Sequence, residues 1–288
     1  MIGHLFAEAS PVVHVAPEHV FTVAGINVTN SMLYGWIIAA LLIGLLTWAA
    51  RKVTVRPKRG ALQYVEAGVT FVSDLVEGAF NDRSVGRKYV PFFVTLFFFV
   101  LLNNWSGLIP GVGEAIQIHG EPLLRPMTAD LNATLAMGLV TMFVVYAASI
   151  REVGGFAKYI GHFFMGRNPL YIVIGFIEIL TDFTRTFSLA LRLFLNVTIG
   201  EIVIAVFAFL GGMLAPASVL SPITALPFTL LELGVGALQA YIFVILGVNY
   251  LAIAVNSAHA HDDNLTEEEA PERIDTKAHK PEVSGAAS

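Results

Sequence analysis

Cysteine is absent from the chain, which removes disulfides, thiolate metal sites and thiol nucleophiles together and leaves the redox compartment open. Charge is scarce as well. Only 14% of the 288 residues are Asp, Glu, Lys or Arg against 56% hydrophobic, too little polar surface for a chain folded in water. A lipid bilayer is the medium that suits it. No Gly-rich loop ending in Gly-Lys-Ser/Thr and no His-Glu-x-x-His occurs, so neither a phosphate loop nor a zinc protease is supported. All eight histidines fall in predicted loops or tails. No metal, cofactor or nucleic-acid partner is expected, and no hydrolytic site.

The first thirty residues contain no Lys or Arg and so lack the basic region of a signal or transit peptide; they are expected to be retained as an extracytoplasmic segment. Positions 31–50 are an uncharged apolar run, close to the ~20 residues a helix needs to cross ~30 Å of hydrocarbon. Arg51, Lys52, Arg56, Lys58 and Arg59 follow directly, and the positive-inside rule places that end in the cytoplasm. Further runs at 92–109 and 131–150 form a hairpin, flanked on the cytoplasmic side by Arg83, Arg87 and Lys88 and by Arg151 and Lys158. The loop joining them holds Glu114 and Glu121 and a single cation, Arg125.

The runs at 170–214 and 219–257 are too long for upright crossings, and strong tilt is the simplest solution. Between the first two spans, Leu62, Val65, Val69, Val72 and Val76 recur at helical spacing, interrupted by Glu66, Asp74 and Glu77. That pattern reads as an interfacial helix over 61–80, although it equally suits an amphipathic helix covering the protein's own surface. Positions 258–288 read as a disordered, acidic cytoplasmic tail, since 262–288 holds eight acids against Arg273, Lys277 and Lys280. The fold class is therefore an all-α polytopic membrane protein with about five membrane helices and one interfacial helix.

Ionisable residues inside hydrophobic spans cost several kcal/mol each and normally line something wet. The span 170–214 holds Glu178, Asp182, Arg185, Arg192 and Glu201 with Ser188 and Asn196; the span 219–257 holds Glu232 and Gln239; the hairpin adds Asp130 and Asn132. At ~100° per residue, Glu178, Asp182, Arg185, Arg192 and Asn196 fall within an arc of roughly 80°. Glu201 projects elsewhere and cannot pair locally with Arg192. Purely structural pairings remain open: Glu178 or Asp182 with Arg185, and Glu232 with a cation on another helix. Arg192 is harder to explain in that way. It stays protonated at any accessible pH and must face an anion or water, so its anion is expected from another chain.

The run Ser188-Leu-Ala-Leu-Arg192-Leu-Phe-Leu-Asn196, followed by Gly200-Glu201, resembles the signature of subunit a of F-type ATP synthases. Pro126-Met-Thr-Ala-Asp130-Leu-Asn132-Ala-Thr and Leu238-Gln239-Ala-Tyr-Ile-Phe243 support the resemblance in family order, over about 31–257. It implies a non-catalytic, ion-translocating stator working with a ring of c subunits, peripheral-stalk b subunits and the rest of the synthase; the lack of a transit peptide favours a bacterial plasma membrane. The last two helices would form a tilted hairpin facing the ring, and Arg192 would take the essential-arginine position between two offset half-channels. Glu201 and Glu232, with Asp130, Asn196 and Gln239, would belong to the outside-facing half-channel. Glu178, Asp182, Arg185 and Ser188 would line the cytoplasmic one. The ion would be a proton, with sodium as the alternative.

Three departures from the family pattern stand out. Many relatives carry a histidine at one of the positions held here by Glu201 and Glu232, so two acids need a shared proton or another cation. Leu195 stands where a glycine is common, and Thr186 where a proline is common. Two other classes compete with the resemblance. A stand-alone transporter is not supported by any obvious inverted duplication, and a scaffold membrane protein would use these charges only to fix helix packing.

Overall fold

The computed structural model describes residues 19–23, 25–52, 60–109, 112, 117–118, 121–122, 124–152, 154–155, 170–214 and 220–268. Six α-helices organise them: α1 (Asn30–Lys52), α2 (Ala61–Ala79), α3 (Arg83–Gly107), α4 (Leu131–Glu152), α5 (Leu170–Leu214) and α6 (Leu220–Glu268). All but α2 are long and apolar enough to cross a membrane. A β-hairpin that the sequence reading did not anticipate precedes α1, pairing β1 (His19–Val23) with β2 (Ile26–Thr29). Its turn passes through Gly25 at φ 83°, a left-handed conformation open to glycine without a Cβ penalty. A two-residue pair, β3 (Gln117–Ile118) with β4 (Glu121–Pro122), lies between α3 and α4.

α3 starts well before the apolar run at 92–109 because Asp82 caps it, accepting from the Ser84 amide at 2.8 Å and from the Ser84 hydroxyl at 2.7 Å. The first turns therefore carry Arg83, Arg87 and Lys88 on the helix. Pro91 lies inside α3 and contributes no N–H to it; the Thr95 hydroxyl donates back to its carbonyl at 2.8 Å. α6 continues past Ser257 to Glu268, and the rest of the expected acidic tail lies outside the described residues.

α5 and α6, of 45 and 49 residues, are each more than twice as long as the ~20 residues that suffice for one crossing. They pack against each other as an antiparallel hairpin. The pairings of Phe207 with Phe228, Gly200 with Glu232 and Arg185 with Tyr250 fix its register. Near its closed end the Phe207 and Phe228 rings stack at 3.8 Å and the Thr224 hydroxyl donates to the Phe207 carbonyl at 2.8 Å. α4 lies against both arms of the hairpin, α3 against α6 and α2, and α1 against α3.

The core follows helical spacing. Leu189 and Leu193 on α5 meet Phe243, Val244, Val248, Leu251 and Val255 on α6 and Phe93 and Val100 on α3, all at most 2% exposed. α2 closes one side by burying Val72 and Val76, with Val65 and Val69 partly buried against the same core. Its valine stripe thus covers the protein's own helices, while Tyr64 is 83% exposed.

At the end where α3 begins and α4 finishes, Glu152 accepts from Tyr89 at 2.8 Å and from Lys88 at 3.1 Å, and Asn256 bridges to the Asn81 amide and the Ala79 carbonyl. Exposed ion pairs of this kind contribute only about 0–1 kcal/mol each; the apolar seams carry the packing. Gly247 shows how tight those seams are, since a Cβ there would sit 3.1 Å from Phe93 and 3.4 Å from Thr141, whereas one at Gly44 would meet nothing within 4 Å. Gly247→Leu is expected to overpack the bundle by about 1–3 kcal/mol and to lower the amount of chain found in membranes on immunoblots, whereas Gly44→Leu leaves it unchanged.

Candidate functional site

Apolar side chains on α5 divide into two faces. Leu189, Ala190, Leu193 and Val197 turn inward, whereas Phe183, Phe187, Leu195 and Ile199 are exposed. Arg192 sits on the exposed face and among the described residues makes no ion pair or hydrogen bond. Arg192 lines one cleft of about 380 Å³ with Thr181, Thr184, Arg185, Ser188, Leu246 and Tyr250. A second, of about 520 Å³, places it with Leu195 and Asn196. Among the described residues Arg192 is thus a cation without a charged partner on an open, largely apolar helix face.

Toward the N-terminal end of α5, Arg185 stacks over the Tyr250 ring at 5.2 Å, a cation–π contact that ties the open face to α6. Ser188 is exposed in the same cleft. The side chains of Glu178 and Asp182, expected on this face, lie outside the described residues.

Toward the closed end of the hairpin the chemistry changes from cations to acids. Glu232 is 8% exposed, and its carboxyl lies against the bare Cα of Gly200; a Cβ there would overlap the Glu232 carboxyl carbon. Glycine at this position makes room for a buried acid beside its sequence neighbour Glu201. Glu201, next to Gly200 in sequence, is half-buried. No cation on another helix pairs with Glu232 among the described residues.

Glu232 is held in place through backbone contacts on either side of it. Trp105 Nε1 donates to the Leu233 carbonyl at 3.0 Å and Asn104 Nδ2 to the Gly236 carbonyl at 3.0 Å, so the end of α3 grips α6 around the acid. The hairpin register sets Gln239, 4% exposed, at the level of half-buried Asn196. Buried polar atoms without a protein partner gather here: Asn196 Nδ2, Thr198 Oγ1 and Gln239 Nε2 on the hairpin, and Asn103 Oδ1 and Asn104 Oδ1 on α3. Groups of this type normally find a partner, and a buried one without protein contacts suits water.

Asp130 has a structural occupation. It precedes α4, where its Oδ1 accepts from the Asn132 amide at 2.9 Å and its Oδ2 accepts from the Ser31 hydroxyl at 2.6 Å. A single carboxylate thereby caps α4, for about 1 kcal/mol, and fastens its start to α1. Asn132 contributes its backbone to that cap. Arg125 and the pair Asn103 and Asn104 were not singled out from the sequence as site residues. The signal for Arg125 is a lone cation in a connecting loop, and that for Asn103 and Asn104 is a pair of amides inside the apolar run at 92–109.

The departures from the family pattern separate cleanly. Thr186 is 8% exposed and faces Gly138 of α4, so it belongs to the internal packing. Leu195 is 47% exposed and lies in the cleft with Arg192, so the extra bulk falls on the open face.

Five helices long and apolar enough to cross a membrane, with Arg192 unpaired among the described residues on an open helix face and two acids, one buried and one half-buried, a few turns away, define an integral membrane protein with an ionisable site. The profile of the ATP synthase A chain matches residues 32–252, and the chain belongs to that family. It is 33% identical over 262 residues to ATP synthase subunit a of Myxococcus xanthus, covering 88% of this chain and 82% of that protein. It is 32% identical over 248 residues to ATP synthase subunit a of Moorella thermoacetica, covering 86% and 99%. A third relative, ATP synthase subunit a of Chloroherpeton thalassium, is 32% identical over 250 residues.

Gly200→Val must displace the Glu232 carboxyl. It is expected to slow proton pumping by the assembled complex at least about tenfold, since a misplacement near 1 Å can cost ~10²-fold. Gly78→Val, where a Cβ meets nothing within 4 Å, serves as the silent control in the same vesicle assay.

Proposed function

We propose that this chain is the stationary, proton-translocating subunit of a rotary F-type ATP synthase, in which Arg192 separates two offset half-channels that load and unload protons on carboxylates of a c-subunit ring. The observation that carries this reading is the position of Arg192: a permanent cation on the open face of α5, with no anion from the described residues beside it. A guanidinium in lipid without a counter-charge costs several kcal/mol, so a passing carboxylate from a ring is the natural partner. Facing Arg192, such a carboxylate is favoured in its ionised form; carried into lipid, it is favoured protonated. Rotation alternates the two environments, and the membrane potential supplies about 2.3 kcal/mol per charge per 100 mV.

Each half-channel has its candidates. Glu201, Glu232, Asn196 and Gln239 are assigned to the outside-facing one, supported by the buried acids and the orphaned polar atoms around them. Asp130 helps to build its wall, through Ser31 and the Asn132 amide. Ser188 and Arg185, with Glu178 and Asp182, are assigned to the cytoplasmic one, supported by the cleft shared with Tyr250. A proton arriving on one side reaches the other only by riding on the ring past Arg192. The chain catalyses no bond making itself; the work passes to other subunits, with peripheral-stalk b subunits holding it still. We place it in a bacterial plasma membrane as a multi-pass protein, amino terminus outside and carboxyl terminus in the cytoplasm, from the cluster Arg51, Lys52, Arg56, Lys58 and Arg59 after the first span.

Arg192→Ala is expected to abolish ATP-driven proton pumping in inverted membrane vesicles while immunoblots still detect the assembled complex. Pumping at the parent rate would return Arg192 to helix packing and sink the separation of the two half-channels.

A further inference from the structure

We propose that Tyr250 is a positioning residue that holds the Arg185 guanidinium back against α6, leaving Arg192 as the cation that a passing c-ring carboxylate meets. This rests on the proton-translocating reading above and adds what keeps a second cation on the same face from competing. Arg185 and Arg192 are both exposed on α5 and line one cleft, with Ser188 between them. Seven residues apart in sequence, they differ by only about 20° around the helix and stand ~10 Å apart along it. Their surroundings differ. The Arg185 guanidinium carbon lies 5.2 Å from the centroid of the Tyr250 ring, whereas Arg192 makes no ion pair or hydrogen bond among the described residues.

Tyr250 is itself fixed. It is half-buried against the core, in a stretch of α6 where Val248 and Leu251 are each 1% exposed, and Leu246, one turn earlier, lines the same cleft. An aromatic face attracts a guanidinium through its negative π cloud without neutralising it. Arg185 therefore keeps its charge, but on the α6 side of the cleft. α5 has 45 residues, too many for an upright crossing, so a carboxylate carried along its tilted axis passes the levels of both arginines. A guanidinium released from Tyr250 is long and flexible enough to lean over the open face and offer that carboxylate a second counter-charge. Each carboxylate paired there is held ionised away from Arg192, and rotation waits until the pair separates. The contact with Tyr250 prevents that stop.

A double-mutant cycle in the whole synthase tests this. ATP-driven proton pumping is measured in inverted vesicles for Tyr250→Leu, for Arg185→Gln and for the two together, normalised to the complex detected by immunoblot, with Tyr250→Phe and Arg192→Ala alongside. Tyr250→Leu removes the aromatic face and is expected to slow pumping about fivefold, within the range that a partly desolvated cation–π contact supports. Tyr250→Phe retains that face and most of the rate. In the Arg185→Gln background, where the second cation is gone, Tyr250→Leu is expected to cost less than about twofold further, because the two changes act on one interaction. Other contacts of Arg185 are present in both arms that keep it and lost in both that lack it, so the cycle isolates its coupling to Tyr250. Equal fold losses in the two backgrounds would make Tyr250 a packing residue and overturn the proposal; so would a parental rate for Leu, or a loss for Phe as large as for Leu. If Leu leaves no complex to assay, Tyr250→Met takes its place in the same cycle. A normal rate for Arg192→Ala would instead strike the translocating reading itself, which keeps the two failures apart.

Discussion

A permanent cation on an open helix face, with no anion beside it among the described residues, is the constraint around which the helix hairpin is arranged. Arginine cannot escape the cost by losing its proton, as lysine or histidine would. The helix that carries Arg192 is therefore anchored from behind, where Leu189, Leu193 and Val197 pack inward against the α4 and α6 side of the bundle. The two helices of the hairpin continue far beyond a single crossing, which keeps the register of α5 against α6 the same from Arg185 and Tyr250 at one level to Phe207 and Phe228 at another.

The same constraint shapes the acids. Glu232 is buried where Gly200 leaves room for it, and α3 grips the backbone on both sides through Trp105 and Asn104. Those two contacts use the carbonyls of Leu233 and Gly236, so they fix where the carboxyl stands without competing for its oxygens. Polar atoms left unpaired nearby, on Asn196, Gln239 and Asn103, belong to the same region. Stability and function pull in different directions here: apolar substitutes would pack better, but they would close the polar region that surrounds the acids.

Much of this was legible in the residues alone. Hydropathy located the crossing helices, because a bilayer demands long apolar runs and tolerates few exceptions, and those exceptions marked Arg192, Glu201, Glu232 and Gln239. Helical spacing also put Glu201 away from Arg192, which the hairpin bears out by turning Arg192 to the open face while Glu201 is half-buried near Glu232. Arg125 was passed over because hydropathy assigns it to a loop, and nothing local reports that the loop folds back against α5. Asn104 was hidden for a different reason: its partner is a backbone carbonyl more than a hundred residues away, which leaves no side-chain pattern to read. Asp130 was noticed for its charge, yet its observed bonds are those of a helix cap and a tether, a role that depends on Ser31 at the start of α1.

The central claim is that the anion for Arg192 comes from a neighbouring ring, and the absence of cysteine from this chain permits a direct measurement. Single cysteines at Leu195, on the Arg192 face, and at Val140, exposed on α4, are paired in turn with a cysteine placed one helical turn from the ring carboxylate, and disulfides are induced by mild oxidation in membranes. The account predicts a cross-link to the c subunit from position 195 and none from position 140; absence of the link from 195 in an assembled, pumping complex would contradict it.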